Sequence, residues 1–201
     1  MKARLDVVSG FLGAGKTTLI KKLIADWDPG KRLVVLQNEH GTVGFSGAEL
    51  TGTGVELEGI SAGCICCDMT GNFIQSLETI TDWLQPERIL LEPSGIGRLS
   101  DILRILDQSC QKYVTVTGVA TVVDATKFRL YLRNYRGFYD DQLQHAPLIL
   151  LTHTDGRPAE EVAAIAGEIQ VLSPEAKVVS TPLDDISLAD LETWMRRKEC
   201  V

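Results

Sequence analysis

Seven stretches of the chain are rich in apolar residues and closed by turn formers: RLDVVSG (4–10), RLVVLQN (32–38), GVELEGI (54–60), RILLEPS (88–94), VTVTGVATVVDA (114–125), PLILLTHTD (147–155) and KVVST (177–181). Several are unbroken Val/Ile/Leu runs, the mark of strands covered on both faces in a parallel sheet. Between them, apolar positions recur at helical spacing over 16–27, 71–84, 98–108, 126–134, 138–145, 158–172 and 187–198. This order predicts an α/β fold of three layers, α/β/α, around a mainly parallel sheet. Residues 41–63 break the pattern with seven glycines and no long periodic run. They read either as a loose surface connection or as a mobile switch leading into a cysteine-rich motif, and the glycines alone do not decide between the two.

Composition narrows the classes. A chain of 201 residues, 44% hydrophobic and 23% charged, suits one soluble globular domain over 1–201. A net charge of −7 without a Lys/Arg cluster argues against a nucleic-acid partner. No run of eighteen apolar residues exists, so no membrane partner is expected. The N-terminal MKARLDVVSGFLGAGK fails as a signal peptide because Asp6 and the glycines interrupt any apolar region. The expected compartment is the cytoplasm, where thiols stay reduced and cysteines serve metal or redox chemistry more often than disulfides.

The chemistry begins at GFLGAGKT, Gly10 to Thr17, which matches G-x-x-x-x-G-K-[ST] between a strand and an amphipathic helix. The loop backbone at Gly10, Gly13, Ala14 and Gly15 turns N–H groups inward, and the next helix sets its positive end at the phosphates. Lys16 then reaches the β- and γ-phosphates, the Thr17 hydroxyl ligates Mg²⁺, and Thr18 sits near the α-phosphate. The acid such chemistry needs is found in Glu92, at the end of an apolar strand, followed by Gly95, whose N–H is offered to the γ-phosphate. Asp124 is a second strand-end acid, and either acid reads alternatively as a helix cap. LTHTD (151–155) resembles the [N/T]-K-x-D element of GTP-binding domains, where Asp accepts two hydrogen bonds from guanine and the Lys stem lies along the base. Thr152 and Asp155 fit; His153 replaces the Lys and offers an imidazole for stacking. The plainer alternative is a turn whose Asp caps the following helix.

Three of the five cysteines crowd into SAGCICCDMT, 61–70. Structural zinc sites usually space paired ligands by two to four residues and use four in total. Cys64, Cys66 and Cys67 are closer than that, and in a strand the last two would face opposite ways. Bringing three sulfurs together takes a bend and an outside ligand, for which Glu39 is the first choice, with His40 and Asp68 nearby. Such an open set suits Zn²⁺ or Cu(I), and with Glu or His it admits Co²⁺ or Ni²⁺. Ordinary buried thiols are the competing reading. Cys110 and Cys200 read as structural or incidental.

Taken in order, GFLGAGKTTLI (10–20), QNEHGTVG (37–44), GCICC (63–67), EPSGIG (92–97), VVDA (122–125) and LTHTD resemble the CobW-type members of the metallochaperone GTPase family that includes HypB and UreG. The resemblance implies a P-loop GTPase domain that hydrolyses GTP to GDP slowly and couples transfer of zinc or cobalt to the nucleotide state. It also implies pairing into a homodimer under nucleotide or metal control, and a client metalloprotein that it leaves unnamed. The chain departs from the family pattern at His40 and His153; many relatives carry a further C-terminal domain and a histidine-rich stretch, and a short member or an isolated GTPase domain without them is expected here. The competing functions are a P-loop ATPase or small-molecule kinase, and a metal-binding module with an idle nucleotide site.

Overall fold

A computed structural model describes residues 2–25, 27–28, 30–38, 55–60 and 70–197. All seven expected strands and all seven expected helices form: β1 Ala3–Gly10, α1 Lys16–Ala25, β2 Leu33–Asn38, β3 Val55–Ile60, α2 Thr70–Trp83, β4 Arg88–Glu92, α3 Leu99–Ser109, β5 Val114–Asp124, α4 Phe128–Asn134, α5 Arg136–Gln144, β6 Leu148–Thr152, α6 Ala159–Leu172, β7 Lys177–Val179 and α7 Leu188–Met195. Among the described residues a 3₁₀ turn, Leu183–Asp185, also forms, which the periodicity does not anticipate. The strands make one sheet in the order β3-β2-β4-β1-β5-β6-β7, with every neighbouring pair parallel.

The unbroken apolar runs divide between two cores, as strand geometry demands. Leu5, Val7, Val34, Leu36, Ile89, Leu91, Ile149 and Leu151 face α2 to α6. Their chain neighbours Val8, Leu33, Val35, Leu90, Leu148 and Leu150 face α1 and α7. The fold is therefore α/β with three layers. Among the described residues, no helix is long and apolar enough to cross a membrane.

Several strands stop short of their apolar runs for local reasons. β4 ends at Glu92 because Pro93 carries no N–H for the ladder. β6 ends at Thr152 because His153 takes a φ of 53°, outside the extended region. At the chain's other pole α7 ends at Met195, and Arg196 leaves the helix to pair antiparallel with Gly118 of β5.

That pole holds the most buried charge in the described chain. Arg88 and Asp6 are each about 2% exposed and meet at 2.6 Å. Arg88 Nη1 also donates to Glu192 of α7 at 2.7 Å, and Thr117 Oγ1 donates to Asp6 Oδ1 at 2.6 Å. Between Leu5 and Asp6 the β5 register slips, so that Thr117 becomes the extra residue of a bulge. Removing one partner leaves a desolvated charge, and Arg88→Met is expected to lower unfolding free energy by about 3 kcal/mol. Urea titration checks this, and Asp6→Leu added to Arg88→Met should recover part of the loss.

Candidate functional site

The loop between β1 and α1 opens at the carboxyl ends of the central strands β4, β1 and β5, where open α/β sheets bind ligands. Its backbone requires glycine: Gly10, Gly13 and Gly15 have φ of 137°, 74° and 101°. At Gly10 a side chain would also start 2.3 Å from the Val122 carbonyl oxygen, so anything larger would part β1 from β5. Phe11 anchors the loop, its ring 4.7 Å from that of Tyr131 and 5.0 Å from that of Tyr139.

Lys16 begins α1, buried to 6% exposure. Its Nζ donates to the Phe11 carbonyl at 3.2 Å and lies 3.5 Å from Glu92 Oε1. Burial pushes the Lys16 ammonium below its ordinary value of 10.5, while Glu92 pulls the other way. The other oxygen of Glu92 accepts from Gln37 Nε2 at 2.9 Å. Gln37 was not singled out from the sequence, because only the pairing of β2 with β4 brings it opposite Glu92. Gly95 packs against the loop so closely that a side chain there would start 2.9 Å from the Leu12 nitrogen.

A cleft of about 640 Å³ runs from this corner along α1 to the ends of β6 and β7. Gly13, Gly15, Lys16, Thr17, Thr18, Glu92, Thr152, His153 and Asp155 line it. Gly10, Ala14 and Gly95 support it from behind: Ala14 is buried, and its carbonyl accepts from Thr152 Oγ1 at 2.7 Å, tying the base loop to the phosphate loop. Thr181 to Asp184 close the far end, a contribution with no motif to announce it. The Thr17 hydroxyl and the Glu92 carboxylate are hard oxygen donors facing one cleft, a set that fits Mg²⁺.

Asp124 serves its own turn: Oδ1 accepts from the Thr126 N–H at 2.8 Å and the Thr126 hydroxyl at 2.6 Å. Burial alone would raise the Asp124 carboxyl, but these bonds, with His153 and Lys127 beside it, hold it below its ordinary value. These bonds close the turn between β5 and α4, and α4 itself starts at Phe128 without a side-chain cap. Cys64, Cys66, Cys67, Glu39 and His40 lie outside the described residues, with most of 41–63. Among the described residues no cluster of His, Cys, Asp and Glu is set to hold a metal ion. Cys110 caps α3, fully buried, and burial pushes its thiol up to about 11.

The sequence model of the CobW/HypB/UreG nucleotide-binding domain matches residues 5–180. The chain belongs to the CobW/HypB/UreG family. The zinc chaperone YeiR of Escherichia coli K12 is 32% identical over 204 positions, covering 94% of this chain and 60% of its own length. Zinc-regulated GTPase metalloprotein activator 1 of Schizosaccharomyces pombe is 31% identical over 206 positions, covering 94% of this chain and 49% of its own. The chain thus spans about half to three-fifths of these CobW/HypB/UreG relatives. A zinc-bound YjiA GTPase of E. coli shares the fold, with a TM-score of 0.68 over 95% of this chain and 61% of that one at 24% identity. This is a family of P-loop GTPases that includes zinc chaperones.

Proposed function

We propose that this chain binds GTP with Mg²⁺ in the cleft, hydrolyses it slowly to GDP, and carries a transition metal, zinc or cobalt, as cargo at Cys64, Cys66 and Cys67 with Glu39. One observation carries the nucleotide half: the pairing of buried Lys16 with partly buried Glu92 at the mouth of a glycine loop, with Gln37 fixing the carboxylate from the next strand. A polyphosphate entering the loop takes Lys16 away from Glu92 and meets the loop N–H groups and the N-terminus of α1. Thr17 and Glu92 hold Mg²⁺, which when bound neutralises phosphate charge. Gly95 offers its N–H to the γ-phosphate, and Thr18 stands near the α-phosphate. At the cleft's other end Asp155 accepts from guanine, His153 lies against the ring, and Thr152 keeps the two loops in register.

The metal half rests on the motif and on the chaperones among the relatives. Gln37 links the halves, because the chain runs from it directly to Glu39 and the glycine-rich stretch. Release of Glu92 from Lys16 on GTP binding is felt at Gln37 and so at the base of that segment, which changes the ligand set of the cargo metal. Pairing of two copies belongs to the same proposal, with Leu12 and Ile96, 68% and 60% exposed, beside the contact of Gly95 with the phosphate loop. The compartment is a reducing one, the cytosol.

Thermal shift with Mg²⁺ and either GTP or ATP tests the nucleotide assignment. GTP is expected to raise the unfolding midpoint at concentrations where ATP has little effect, since a 100-fold excess over Kd adds about 2.7 kcal/mol. A preference for ATP would refute the guanine assignment.

A further inference from the structure

The base loop lacks the lysine that [N/T]-K-x-D carries, and a cation reaches the same corner from another loop. Lys127 stands in the turn between β5 and α4. Its Nζ lies 3.4 Å from Asp124 Oδ2 and 3.8 Å from the point where a side chain on Gly13 would begin. Gly13 has no side chain, and the ammonium uses the space beside the phosphate loop. The other oxygen of the same carboxylate faces the imidazole, with His153 Nδ1 3.7 Å from Asp124 Oδ1. His153 lines the cleft itself.

An exposed ion pair three residues apart in sequence is usually worth little. This one differs on two counts. Asp124 is 3% exposed and oriented by Thr126, so the lysine answers a desolvated charge. The pair also stands between two loops of the nucleotide cleft, adding a charged contact to the Thr152 Oγ1–Ala14 bond that joins them. A lysine at 153 would bring both a cation and a flat stem to this corner; here Lys127 brings the charge and His153 the flat surface.

We propose that Lys127 is a positioning residue of the nucleotide site, holding His153 toward the base through Asp124 and bracing the phosphate loop at Gly13. This rests on the guanine-nucleotide reading above. The test is GDP binding by isothermal titration to the unaltered chain, Lys127→Ala, Lys127→Gln and the double variant Lys127→Ala/His153→Lys. Loss of one charge-assisted contact should weaken GDP binding about tenfold in each single variant, with the double variant returning to within about threefold of the unaltered chain. A lysine that served only the fold would not be replaced from position 153. Lys127→Ala and Lys127→Gln that bind GDP within about twofold of the unaltered chain overturn the inference, as does a double variant no tighter than Lys127→Ala. Failure of the unaltered chain to bind GDP overturns the nucleotide reading and this inference with it.

Discussion

Lys16→Ala is expected to lower the rate of GTP hydrolysis roughly 10²- to 10³-fold, the usual weight of one preorganised charge at a transferring phosphoryl group. Among the described residues Lys127 also lies beside the phosphate loop at Gly13, but it is engaged by Asp124. Lys16→Arg should not rescue, because a planar guanidinium does not fit where Nζ sits 3.2 Å from the Phe11 carbonyl. Single-turnover hydrolysis with Mg²⁺ checks both variants, and a Lys16→Ala protein within about threefold of the unaltered rate would remove Lys16 from the chemistry. A pH profile adds an independent readout. A bound polyphosphate favours charged Lys16, so affinity is highest while the free protein's Lys16 is protonated and falls as pH rises through its depressed value. The fall should therefore begin below pH 10.5, the ordinary lysine value.

The second large effect concerns the cargo. Replacing Cys64, Cys66 and Cys67 together by Ser should weaken zinc binding roughly 10³-fold or more, since thiolates supply most of the binding energy of such a site. Because those thiols must lose protons to bind, the unaltered protein should bind zinc more tightly as pH rises from 6 toward the thiol range, while the Ser variant should show little of this slope. Competition against a zinc chelator measures both. Unchanged zinc affinity in the triple variant would end the metal role of the motif. The nucleotide link predicts in addition that zinc affinity differs between the GTP-analogue and GDP forms, and that zinc shifts nucleotide affinity by the same factor. Equal affinities in the two forms would leave two sites on one chain without coupling.

Which parts were readable in the sequence follows from how far their causes reach along the chain. β4 and β6 were legible because burial on both faces writes a continuous apolar run, and β1 and β5 because their Val-rich stretches close on turn formers. The phosphate loop was legible because its glycines, Lys16 and Thr17 are consecutive. Gln37, Thr181 to Asp184 and Lys127 were not singled out. Each reaches the site only through topology: β2 beside β4, β7 at the end of the cleft, and the β5–α4 turn folded over Gly13. The helix boundaries that moved did so at polar ends, where a local alternative wins. α5 starts at Arg136, two residues before its apolar pattern, and α7 gives up its last turn to the bridge from Arg196 to Gly118. The sequence offers Asp124 as either a metal acid or a helix cap, whereas its carboxylate closes the β5–α4 turn through two hydrogen bonds from Thr126 that no motif encodes.

The sealed thiol at the end of α3 makes the protein its own reference for labelling experiments. With its thiol held near 11, Cys110 is ionised in only about three molecules in ten thousand at pH 7.5. It should stay silent toward an aqueous disulfide reagent for as long as the fold holds. Of the five cysteines, reactivity in the native protein therefore reports on the other four. The sudden appearance of a fifth equivalent would signal unfolding, not release of metal.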